Sequence, residues 1–96
     1  INKACKKLGT WRLNGCVLYV TLEPCTMCVG ASILSRVDGI VFGAKDPKGG
    51  SLGSLYDISL INGFNHYPWI KSSVCEDECS NILKLFFKNK RKKRLE

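Results

Sequence analysis

An α/β fold is predicted for this chain by three consecutive segments. Cys16 to Leu22 is a mostly apolar run carrying the β-branched residues Val17, Val20 and Thr21, as expected of a buried strand. From Pro24 to about Ser35, Val29, Ile33 and Leu34 lie on one apolar side of a helix, and Gly30, Ala31 and Ser32 are small enough for close packing on a sheet. Val37 to Phe42 is strand-like again, broken by Asp38-Gly39. Strand, helix and strand make a βαβ unit, whose crossover is almost always right-handed.

The flanking segments follow in order. Ninety-six residues, 45% of them hydrophobic, suit one small domain. The chain opens at Ile1 inside a helical stretch (Ala4, Cys5, Lys6, Lys7, Leu8) that stops at Gly9, which reads as the C-terminal part of a longer protein. Asn14-Gly15 marks a turn before the first strand. Gly43 to Gly50 contains Pro47 and the Gly49-Gly50 pair, so it must be a loop at the end of the second strand. Leu52, Leu55, Ile58, Leu60 and Ile61 suggest a short helix, Asn62-Gly63 turns the chain, and Tyr67 to Ser72 suits a short strand. Ser73 and Glu76 form a capping-box pattern, followed by acidic residues in the first turn. Cys75, Cys79, Ile82, Leu83 and Phe86 then recur at helical spacing as an expected buried stripe. Cys5, Cys16, Cys75 and Cys79 are thus expected to be core cysteines.

Chemistry concentrates at Glu23-Pro24-Cys25-Thr26-Met27-Cys28. Proline favours the first helical position, so a helix starting at Pro24 would aim free N–H groups and the positive dipole end at both thiols. That lowers thiol pKa and favours the metal-binding thiolate. Cysteines at i and i+3 share one helix face and can share one ion. A Cys-x-x-Cys pair alone also fits a redox pair or two small buried residues. The strand before it and Pro24 favour zinc, with Cys25 and Cys28 as ligands. Ligands of open α/β sheets bind beyond the carboxyl ends of strands, which is where this pair falls. The single histidine, His66, lies downstream, where a displaced zinc ligand, a loop residue near substrate and an ordinary surface residue all remain open.

Charge separates the body from the tail. The formal net charge is +7, and seven basic residues and one acidic residue stand between Lys84 and Glu96. Such a block fits a nucleic-acid contact or a solvated helix end. No signal peptide, apolar membrane-length run or repeat is evident. Six cysteines without signs of secretion indicate a reducing compartment, so a cytoplasmic location is expected.

With these motifs in hand, the chain resembles the bacterial tRNA-specific adenosine deaminases of the cytidine deaminase-like superfamily. The resemblance rests on Leu8–Leu13, Leu18–Cys28, Val41–Gly50, Phe64-Asn65-His66, and Glu78-Cys79 leading to Phe86-Phe87. It implies a three-layer α/β/α fold around a mixed sheet, incomplete here at its N-terminal side, with residues 1–96 as the C-terminal part of one deaminase domain and 84–96 as its basic helix end. It further implies a homodimer and zinc-dependent hydrolysis of the anticodon wobble adenosine of tRNA to inosine. Asp46, Lys48, Phe87, Lys88, Lys90 and Arg91 would face RNA, Asp46 through a ribose 2′-hydroxyl; the competing readings are Asp46 as a plain turn residue and Phe87 packed on the sheet. Pro-Cys-x-x-Cys with a separate His-x-Glu is the signature of zinc nucleobase deaminases. The His-x-Glu is absent from these residues, so the proton-shuttling glutamate is expected upstream of Ile1 and the 96 residues alone are expected to be inactive. The resemblance does not assign that role to Glu23.

Two other readings compete. A deaminase of free bases or nucleotides would need no cationic tail. A non-catalytic RNA-binding module would carry a closed zinc site of Cys25, Cys28, Cys75 and Cys79.

Overall fold

In the computed structural model, which describes the backbone of residues 1–95 and the side chains of residues 1–90, the middle strand is wholly buried. This strand, β2 (Gly39–Ala44), pairs in parallel with β1 (Val17–Leu22) on one side and with β3 (Trp69–Lys71) on the other. Register runs Leu18 to Ile40 and Val20 to Phe42 on the first side, and Ile40 to Ile70 on the second. Helix α1 (Asn2–Leu8) precedes β1, α2 (Thr26–Leu34) crosses from β1 to β2, and α3 (Glu76–Leu95) follows β3. The α/β reading and its βαβ unit are observed.

Alternation along β2 divides the core. Ile40 and Phe42 join Val29 and Ile33 of α2 in one apolar cluster with Leu13, Val37, Leu52 and Ile58. Complete burial of Phe42 and Ile40 contributes about 1.5–3 kcal/mol for each side chain. Gly43 takes the other face and lies against the Cys79 side chain of α3, where a Cβ would overlap the sulfur. Helix α1 ends where expected: Gly9 adopts the left-handed φ of 69° and its N–H bonds the Cys5 carbonyl.

Four boundaries depart from the sequence reading. Strand β2 runs on through Gly43 and Ala44, expected in the loop, because Ala44 still pairs with Leu22 and its carbonyl accepts the Glu23 N–H. Strand β2 begins at Gly39, because the Asp38 backbone donates to the Cys16 carbonyl and accepts from the Trp69 N–H, joining all three chain segments just before the strands. Residues 51–66 contain, in place of the expected short helix, an antiparallel bridge between Leu52 and Asp57 and a 3-10 turn, Ile58–Leu60, capped by Asp57, which accepts from the Ser59 N–H at 3.0 Å. Helix α3 begins at Glu76 rather than after a Ser73 cap. The Val74 N–H bonds the Phe42 carbonyl, and the tight turn this requires puts Ser73 and Cys75 at φ of 58° and 51°.

The stripe on α3 is also less buried than its spacing suggests. Ile82 and Phe86 are 59% and 52% exposed, and Cys75 is exposed. One helix lying on a narrow three-stranded sheet covers little more than β2, so Cys79 and Leu83 are only half-buried. Cys5 and Cys16 are likewise half-buried, and they pack against the main cluster. Among the described residues, no helix is long and apolar enough to cross a membrane.

Candidate active site

The chain leaves the carboxyl end of β1 through Glu23, whose N–H extends the ladder to the Ala44 carbonyl at 2.8 Å. Cys25 has extended backbone angles (φ −77°, ψ 173°) and is the N-cap of α2, so Pro24 stands before the cap and not at the first helical position. The helix therefore starts at Thr26, a correction to the predicted start at Pro24. Both Cys25 and Cys28 are exposed at this end. They open onto a cavity of about 670 Å³ whose wall also includes Glu23, Met27 and Asp46.

The two thiols are inequivalent. The Cys28 N–H and then the Cys28 thiol lower the Cys25 pKa, outweighing the opposing effect of burial, and the Met27 N–H adds to the lowering. Cys28 shifts upward, because its thiol hydrogen-bonds Cys25, it is less hydrated, and a Cys25 thiolate repels a second negative charge. The helix start thus favours one thiolate first, not both as predicted. A cation between them would remove that repulsion. Two adjacent sulfurs at a helix N-terminus fit two positions of a tetrahedral zinc shell. Among the described residues, no group of three or more His, Cys, Asp and Glu side chains forms.

His66 is not a third ligand. Its Nε2 donates to the Val37 carbonyl at 2.6 Å, before the amino end of β2. The pair lies at the other end of the sheet, roughly 20 Å away along a six-residue strand. Cys75 and Cys79 line a separate cavity with Tyr19, Thr21 and Gly43, so the four-cysteine zinc site does not form.

The expected RNA-facing residues gather near the carboxyl ends of the strands. The Asp46 carboxylate accepts the Lys48 N–H at 3.1 Å, starting a turn, while Asp46 also lines the cysteine cavity. A second cleft of about 310 Å³ lies between this loop and α3, with Lys45, Asp46, Lys84 and Phe87 on its walls. Phe87 packs edge-on against Phe86 at 5.4 Å, and the Lys90 ammonium lies 5.3 Å from the Phe86 ring centre. Lys48, Lys88 and Lys90 are exposed. The side chains of Arg91, Lys92, Lys93 and Arg94 lie outside the described residues.

One feature of the site was not anticipated. Glu23 is only 2% exposed and its carboxylate is fully engaged. It accepts the N–H groups of Asp46 (3.2 Å), Leu52 (2.9 Å) and Ser54 (3.1 Å), and the Ser54 hydroxyl. Burial pushes its pKa up, but these donors outweigh that and hold it below the ordinary carboxylate value. Gly50 makes room for it, since a Cβ there would overlap the carboxylate. The Gly49-Gly50 pair was the one signal in the sequence, though it predicts a turn and not a buried acid.

A family model of MafB19-like deaminases matches residues 1–91. The chain belongs to this deaminase family. Among curated proteins the deaminase chain is 55% identical over 94 residues to a tRNA-specific adenosine deaminase of Bacillus subtilis (strain 168), covering 98% of the chain and 58% of the relative. It is 44% identical over 91 residues to a tRNA-specific adenosine deaminase of Agrobacterium fabrum (strain C58 / ATCC 33970), covering 95% and 60%. A solved structure from work on A-to-I editing by tRNA:A34 deaminases at the wobble position of transfer RNA superposes with a TM-score of 0.80. It is 42% identical, with 84% of this chain and 59% of that chain covered. The cytidine deaminase-like fold is therefore observed, and the chain spans about three-fifths of the length of these relatives.

Proposed function

We propose that these residues form part of a zinc-dependent deaminase that converts the wobble adenosine of tRNA to inosine and releases ammonia. The observation that carries this reading is the pairing of Cys25 and Cys28 at the mouth of the 670 Å³ cavity, with Asp46 on its wall. The likeness to tRNA-specific adenosine deaminases supports the choice of substrate.

Cys25 and Cys28 would hold zinc, which when bound supplies a Lewis acid that lowers the pKa of water. Asp46 keeps a carboxylate oxygen for a ribose hydroxyl after accepting the Lys48 N–H. Phe87 offers a ring face beside Lys45 and Lys84 for a base splayed out of the anticodon loop. Lys48, Lys88, Lys90 and Arg91 would meet phosphates. The histidine ligand and the proton-shuttling glutamate are assigned to sequence upstream of Ile1, with residues 1–96 as the C-terminal part of one domain.

A homodimer belongs to the same reading. Met27 and Leu34 on α2 are 77% and 75% exposed, apolar surface that the rest of the domain or a second copy would cover. A tRNA substrate favours a cytoplasmic location.

The test is inosine formation by the full-length protein on a tRNA carrying a wobble adenosine, beside free adenine, guanine and cytosine. Inosine in tRNA and no turnover of the free bases is the expected result. Turnover of a free base alone would overturn the substrate assignment.

A further inference from the structure

Each residue flanking Cys25 is tied to one later segment, residues 44–56. The Glu23 N–H bonds the Ala44 carbonyl, and its carboxylate collects the amides of Asp46, Leu52 and Ser54. The Pro24 carbonyl accepts both the N–H (3.0 Å) and the hydroxyl (3.2 Å) of Ser51, which is fully buried. The Thr26 hydroxyl bonds the Tyr56 hydroxyl. Within the loop, the Gly50 N–H returns to the Asp46 carbonyl at 2.9 Å. The turn bearing the cysteines and the loop bearing Asp46 are therefore one hydrogen-bonded body, closed around one carboxylate.

From this we infer that Glu23 is a positioning residue that locks the Asp46–Ser54 loop to the cysteine turn, so that substrate contact and metal retention depend on the same side chain. The inference rests on the proposed deaminase function for its substrate side only. It assigns Glu23 no contact with substrate or metal. The physical basis is the number of donors. Each Glu23 oxygen receives two of them, Oε1 from Asp46 and the Ser54 hydroxyl, Oε2 from Leu52 and the Ser54 amide. A neutral isostere cannot do this: turned one way, a Gln NH2 faces the Leu52 and Ser54 amides, and turned the other way it faces the Asp46 amide while the Ser54 hydroxyl rotates to accept, so at least one backbone N–H is left unpartnered in either case. The loop can then escape only by moving, and Asp46 moves with it.

The test compares Glu23→Gln and Ser54→Ala with the parent in the full-length, zinc-loaded protein. Three quantities are measured: KM and kcat on an anticodon stem-loop, the rate of zinc transfer to a coloured chelator, and amide hydrogen exchange across residues 46–54. Glu23→Gln should raise KM and speed zinc release, each by roughly 10-fold, the scale seen when support around metal ligands or substrate is loosened. Exchange at Asp46, Leu52 and Ser54 should accelerate with them. Ser54→Ala removes one hydroxyl from a half-exposed loop and should shift the same quantities in the same direction by only a few-fold. That variant carries the test if Glu23→Gln does not fold.

A purely structural role would lower the melting temperature and the active fraction, yet leave KM and zinc release of the folded molecules unchanged. That result would overturn the inference, as would unchanged exchange in the loop. If the parent makes no inosine, the proposed function fails by itself, and zinc release and exchange still decide whether Glu23 is the lock.

Discussion

The turn at Glu23–Cys28 and the helix α3 both serve the proposed site, yet they are built in opposite ways. At the turn, a buried carboxylate and a proline carbonyl are both satisfied by one loop, the carbonyl by the buried Ser51. On α3 the described residues after Leu83 are exposed, with Phe86 and Phe87 half uncovered and the cations in solvent. The difference matches what the proposed function would ask of each. Bond-making chemistry tolerates little displacement, so its groups are fixed by many short polar contacts. Phosphate contacts act through charge over several ångströms and suit exposed lysines on a helix surface. Precision is concentrated at the turn, and charge at the helix.

The hardest way to break the turn is to remove a thiol. Cys25→Ala or Cys28→Ala in the full-length protein should release most zinc and abolish activity, because in the proposed site each would supply one of a small set of ligands. Elemental analysis of the purified variants checks this, and full zinc occupancy in Cys25→Ala would remove the metal assignment. Gly50→Ala strikes the same body from the loop side. Its Cβ meets the Glu23 carboxylate, and overpacking of this kind costs about 1–3 kcal/mol. Urea unfolding should show a lower midpoint with an unchanged slope.

His66→Ala sharpens the comparison from outside both regions. Loss of the bond to the Val37 carbonyl should cost about 1 kcal/mol of stability. Zinc content should remain that of the parent, and a loss of zinc would restore His66 as a ligand. The smallest effects belong to α3. Replacing Lys88 and Lys90 by Ala should lower the slope of log affinity for tRNA against log salt by about 1 for each phosphate contact removed. The melting temperature should hardly change, since both residues are exposed. An unchanged salt slope would mean that these lysines are only solvated.

Much of the site was legible in the sequence. Cys25 and Cys28 announce themselves because proline after a strand and two thiols at i and i+3 form a local pattern. The position of Asp46 after the second strand is local too. Other features were not legible, for definite reasons. Glu23 is charged, and a charged residue ordinarily reads as surface; its burial depends on amides 23 to 31 residues later in the chain. The inequivalence of the thiols arises because Cys25 caps the helix while Cys28 lies within its first turn. The stripe on α3 has correct periodicity, but periodicity cannot tell how wide a sheet is present to cover it.

By itself, then, the sequence determined the βαβ order, the helix stop at Gly9, the cysteine pair and the cationic end of α3. Each of these is encoded within a few residues, through backbone preference, spacing or charge. Only the tertiary structure decided that β2 is the fully buried strand, that His66 bonds Val37 far from the cysteines, and that Glu23 fastens the loop beside them. Those outcomes depend on which distant N–H groups and carbonyls meet, and a buried polar group must take its partners from whatever the completed fold brings within about 3 Å.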